Sequence, residues 1–149
     1  MSVVSALILS RRPASAFVVV GLFWGGFAAY VPVIKEQLGV NDAQFGTLLL
    51  GSAFGLVSSM FLAPRVDRIL GARGMQFAAI LLAFIWLFPA QITTPAWFFV
   101  AFVGVGLCSG LLDVIMNARV SELEGRTGRS LMNGNHAMFS VAYATGALI

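Results

Sequence analysis

Charge is what this chain has least of. Only 10% of its 149 residues are Asp, Glu, Lys or Arg, while 59% are hydrophobic. Soluble domains carry about 25% charged residues. So little polar surface cannot cover so much apolar side chain in water. A soluble globular domain is therefore excluded, and the bilayer is left as the solvent. Cysteine is nearly absent as well. Cys108 stands alone, so an internal disulfide is excluded, and no metal-ligating residues keep it company; it reads as packing. No cofactor and no metal are expected. The net charge of +3 does not point to nucleic acid, because the basic residues stand between apolar runs, where they set topology.

What the chain does have is apolar runs at a steady spacing: 14–34, 43–64, 75–92, 96–118 and 131–149. Each holds about 18–23 residues, enough for a helix to cross roughly 30 Å of hydrocarbon. The period-two alternation of barrel strands is missing from them. The expectation is an all-α membrane protein, a polytopic bundle with five transmembrane helices. Residues 1–10 are too short to span and read as a frayed leader. Arg11 and Arg12 before an apolar run also suit a signal peptide. That run is too long, however, and lacks a clear cleavage site. Arg11, Arg12, Arg65, Arg68, Arg73, Arg119, Arg126 and Arg129 fall on one side of the expected spans, and only Lys35 falls on the other. The positive-inside rule then places the N-terminus in the cytoplasm of a cell whose inner membrane holds the chain. Tyr30, Trp86 and Trp97 fall near the opposite ends, as an aromatic belt would.

Glycines pair at a spacing of four: Gly21 with Gly25, Gly51 with Gly55, Gly106 with Gly110. Such faces let helix backbones approach closely and predict a tight bundle. Polar residues inside the runs carry the functional signal. An Asp at a helix centre costs about 2.5–3.5 kcal/mol on insertion scales and usually faces a bundle interior or a wet cavity. Asp113 is such a residue, with Asn117 one turn on. Gly106, Gly110, Asp113 and Asn117 share one helical stripe; Asn133, His136, Ser140 and Tyr143 share another. Asp113 lies six residues before Arg119, and His136 seven after Arg129, so both sit about 9–10 Å inside the cytoplasmic boundary. Two stripes lining one aqueous cavity is the expectation. A hydrolase built on Ser109, Asp113 and His136 is set aside. Ser109 lies mid-helix, without the exposed elbow and oxyanion hole such a nucleophile needs.

These features resemble the N-terminal part of a major facilitator superfamily transporter. The segment 63-APRVDRILGARG-74 is similar to that superfamily's cytoplasmic Gly-x-x-x-Asp-Arg-x-Gly-x-Arg signature. Asp67, Arg68, Gly71 and Arg73 match in type; Ala63 replaces the first glycine, and one extra residue precedes Gly71. The resemblance implies a gating loop there. The stretch 36-EQLGVNDAQFGTLLLGSAFG-55 resembles the fucose-permease-like, sugar-permease branch, as does the Asp113–Asn117 pair. By that resemblance Asp113 would bind a proton or a sugar, and Asn117, Asn133 and His136 would face substrate. The branch's helix 1 acid is replaced by Ala28. What the resemblance implies is a partial six-helix half of a major facilitator fold, working by alternating access with protons and a small polar solute. The chain would be a fragment whose missing C-terminal part completes the transporter. Two rivals are a small multidrug-type efflux protein, which needs an acid in helix 1, and a non-transporting membrane assembly subunit.

Overall fold

Three glycines with positive φ, Gly39 (63°), Gly71 (52°) and Gly128 (62°), mark where long helices stop. A side chain at such a φ is strained, so the chain turns there at least cost. The computed structural model describes residues 3–149, with side chains from Ser5 onward. Its helices are α1 (Val3–Leu9), α2 (Arg11–Leu38), α3 (Asp42–Leu70), α4 (Gly74–Ile85), α5 (Pro95–Thr127) and α6 (Met132–Ala147). Two 3-10 turns, Gly71–Arg73 and Pro89–Gln91, flank α4.

The starts of helices are as legible as the stops. Asn41 caps α3: its side chain accepts from the Gln44 N–H at 2.9 Å, and the Gln44 side chain accepts from the Asn41 N–H at 3.0 Å. This reciprocal pair satisfies two donors that a bare helix end leaves open. Helices also run on past their apolar stretches, α3 to Leu70 and α5 to Thr127. In α5 the extension is held by Glu122, which pairs with Arg119 at 3.1 Å and Arg126 at 2.5 Å. Such i,i+3 and i,i+4 pairs sustain a solvated helix.

Among the described residues, three stretches are long and apolar enough to span: Arg11–Leu38, Asp42–Gln91 and Pro95–Thr127. The expected runs 43–64 and 75–92 both fall within Asp42–Gln91, on α3 and α4 with the turn Gly71–Arg73 between them, and the fifth run falls on α6, which has 16 residues. The expected frayed leader is corrected. Met1 and Ser2 lie outside the described residues, but α1 is a helix, and Ala6 and Ser10 are buried.

The chain divides into two compact units, residues 1–29 with 115–149, and residues 30–114; α2 and α5 contribute to both. In the second unit, Phe98 and Phe102 stack at 4.5 Å between centroids, and Phe45 lies 5.8 Å from Phe98. Leu82, Phe98, Phe102, Val105 and Leu112 are fully buried. Here α3 and α5 meet through glycine. A Cβ on Gly51 would stand 2.6 Å from the Phe99 carbonyl, and one on Gly55 would overlap the Val103 carbonyl. At the far end of this unit Gln37 ties α2 to the segment after Pro89. Its Nε2 donates to the carbonyls of Ala90 at 3.2 Å and Ile92 at 3.1 Å. Lys35 pairs with Asp42 nearby. Gln37→Ala should lower stability by about 1 kcal/mol, the net worth of a typical hydrogen bond. Its melting temperature in detergent checks this; an unchanged value would mean that solvent replaces the tie at no loss.

The first unit is built on Phe17, Ile115, Met116, Val120 and Leu131, all nearly inaccessible. α6 packs on α2 through the same small-residue device. A Cβ on Gly21 would stand 2.5 Å from the Phe139 carbonyl, and one on Gly146 would stand 2.7 Å from the Leu22 carbonyl.

Candidate functional site

α6 starts without a side-chain cap of its own. Glu124, in the charged extension of α5 beyond the apolar run, supplies one from across the loop. Its Oε1 accepts from the N–H groups of Leu131 at 2.5 Å and Met132 at 2.8 Å. The Met132 and Leu131 donors hold its carboxyl below the ordinary carboxylate range. A lowered pKa gives stabilisation that is complete above the unfolded value of about 4.3 and is lost as pH falls through the folded value. Glu124→Ala should therefore speed hydrogen exchange at the Leu131 and Met132 amides at neutral pH. In the parent the same amides should keep their protection until the pH drops below about 4.3. Equal exchange in both proteins would show that the cap is not formed.

From that start the sequence sorts α6 into two faces. Asn135, Ala142 and Gly146 are buried. Asn133, His136, Ser140 and Tyr143, spaced three, four and three, are all exposed. The glycines of α2 hold one side of the helix, so the polar stripe is displayed on another. The His136 ring meets buried Phe17 edge-on, 4.8 Å between centroids at 66°. Ser140 Oγ donates to the His136 carbonyl at 3.1 Å, leaving its lone pairs open.

The expected stripe on α5 splits in two. Gly106 and Gly110 are buried under α3, where added Cβ atoms would overlap the Ser52 carbonyl and Ser59 Oγ. That half is a packing seam. Asp113, three residues on, is exposed, and Asn117 is half-buried one turn further. Asp113 belongs to the second unit, and Asn117, Asn133 and His136 belong to the first. Asp67, half-buried, and Arg68, exposed, end α3; Gly71 and Arg73 form the 3-10 turn that follows. The Gly71 N–H donates to the Asp67 carbonyl. This gives the glycine of that segment a physical reason, since its φ of 52° disfavours any side chain. A shallow recess of about 290 Å³, lined by Val40, Gln44, Thr47, Leu48 and Pro95, contains none of the predicted residues.

Asn135 is the residue that sequence reasoning passed over. It lies two positions from Asn133, off the polar stripe, and is fully buried. Its Nδ2 donates to Leu131 O at 2.8 Å and to Ser10 Oγ at 3.0 Å, and its Oδ1 has no partner. An unsatisfied buried polar atom costs about 1–3 kcal/mol. A contact 125 residues away leaves no local signal in sequence.

Comparison with known proteins sets this geometry in context. The Major Facilitator Superfamily matches residues 13–149. An uncharacterized MFS-type transporter of Yersinia pestis is 33% identical over 89% of this chain and 35% of its own length. An uncharacterized transporter of Sinorhizobium fredii is 34% identical over 92% of this chain and 37% of its own. The membrane protein MosC of Rhizobium meliloti is 30% identical over 91% of this chain and 33% of its own. The chain thus spans about a third of the length of these relatives. No solved structure matches it.

Proposed function

The chain belongs to the Major Facilitator Superfamily, and from that premise we propose that it is the N-terminal part of a proton-coupled transporter for an uncharged, hydroxyl-bearing small solute such as a sugar. Membrane transport by a multi-pass protein is the level given by the family and the apolar helices. The finer reading rests on the α6 face. Asn133, His136, Ser140 and Tyr143 all lie exposed along it, and the helix contains no Lys, Arg, Asp or Glu. Each of those four side chains both donates and accepts hydrogen bonds, which matches hydroxyl groups. An organic anion would call for Arg or Lys instead. Resemblance to the sugar-permease branch leans the same way.

Asp113 is assigned the proton and Asn117 a place beside it. An ionisable residue amid apolar helix is costly and is typically kept for ion or substrate pathways. The segment with Asp67, Arg68, Gly71 and Arg73 is assigned the gate, on its match to the superfamily signature. An inner-membrane location with a cytoplasmic N-terminus is favoured by the one-sided arginines. The partners are then the bilayer, the solute, protons and a C-terminal part; the last is supported by relatives about three times as long. In this reading the two halves rock about a site near the midplane.

Proteoliposomes of the full-length protein holding an internal pH dye give the test. Neutral sugars, added one at a time under an acid-outside gradient, should include one that drives proton entry. Proton entry with organic anions only would sink the substrate class.

A further inference from the structure

The amino-terminal helix has no role in that reading, yet it is fastened to the helix that carries the solute face. Ser10 follows α1 directly and is 1% exposed. Its Oγ donates to the Ala6 carbonyl at 3.1 Å and accepts from Asn135 Nδ2 at 3.0 Å. Asn135 is completely buried, and its Oδ1 is left without a partner. For stability alone, a leucine of similar outline would serve better, since it buries no polar atom. A single buried Asn that weakens a helix contact is best known for fixing register. The neighbours of this one give register a purpose. Asn133 and His136 stand on either side of it, and both are exposed. The later part of α6 is set by close backbone contacts with α2 at Gly21, Gly25 and Gly146. Its first turns meet Ser10, at the junction of α1 and α2, through Asn135 and meet Phe17 through the His136 ring.

We propose that the Ser10–Asn135 hydrogen bond is a positioning device, by which α1 holds the start of α6 in the rotation that presents Asn133 and His136 to the transported solute. This rests on the reading of the α6 face as solute-facing. α1 is then a working part of the transporter, and Ser10 and Asn135 are positioning residues that touch no substrate.

Thiol labelling of the full-length protein in its membrane tests the proposal. In a background with every native cysteine replaced by serine, Cys108 among them, Asn133→Cys and Ala142→Cys are reacted separately with N-ethylmaleimide. The exposed position should react about tenfold faster than the buried one, as thiol access dictates. Adding Ser10→Ala should bring the two rates together with a modest fall in melting temperature, since a buried Asn135 N–H loses its acceptor, and Ser10→Thr should restore the contrast. Asn135→Leu should likewise lose the contrast with an equal or higher melting temperature, a pairing that a purely structural Asn would not give. An undiminished contrast in Ser10→Ala and Asn135→Leu overturns the proposal, whatever the melting temperature does. Absence of contrast before any change at Ser10 or Asn135 overturns the underlying reading of the α6 face instead, so the two failures are distinguishable.

Discussion

On the proposed proton role, Asp113→Asn in the full-length protein should abolish accumulation driven by a pH gradient and leave solute exchange at equal concentrations running. The variant removes one capability and keeps nearly everything else. Asn has the size of Asp and is neutral, as the protonated acid is, so the loaded form is imitated. It cannot release a proton, so the step that returns an empty, deprotonated carrier is lost. Uphill transport needs that step; exchange does not. The pH dependence of uptake should also flatten, since no titrating group at this position remains. Asp113 lies on an exposed part of α5 and not in the seam with α3, and a melting temperature taken beside the transport assay reads any effect on folding. Normal accumulation by the variant would show that Asp113 does not carry the proton.

The second large effect is structural. Gly55→Ala should destabilise the protein by about 1–3 kcal/mol, the range for forcing extra volume into a packed contact. The new Cβ would overlap the Val103 carbonyl and the Leu107 N–H of α5. Both obstacles are backbone, so no side chain can swing aside, and the helices must separate. Gly46→Ala on the same helix is the control. Nothing lies within 4 Å of a Cβ there. Alanine should stabilise that exposed helical position by about 0.5–1 kcal/mol. Paired melting temperatures in detergent should therefore move in opposite directions. If both variants behave alike, the α3–α5 approach is wrong.

Much of this was legible in sequence, and the reasons differ by residue. The apolar runs are local patterns, so helices follow from them directly. The polar stripe of α6 could be read because spacings of three and four put residues on one face of any helix. The glycine pairs announced close packing but not their partners. Spacing alone also joined Gly106 and Gly110 to Asp113 on one stripe, whereas α3 covers the glycines and leaves the acid exposed. The helical extension through Glu122 and Arg126 carries charge, which a reading by apolar runs cuts off. Asn135 and the helix before Ser10 were beyond reach, because their meaning lies in one contact between distant parts of the chain.

Exposure on this chain has two meanings, lipid or water, and a solute-facing α6 stripe requires water. Spin labels placed one at a time from Met132 to Gly146 in the full-length protein distinguish them, using collision with oxygen, which favours lipid, and with a water-soluble nickel chelate. Nickel collisions should peak at Asn133, His136, Ser140 and Tyr143, with oxygen low at those positions. Oxygen peaks at the same four positions would put the stripe in lipid and contradict a solute-facing role.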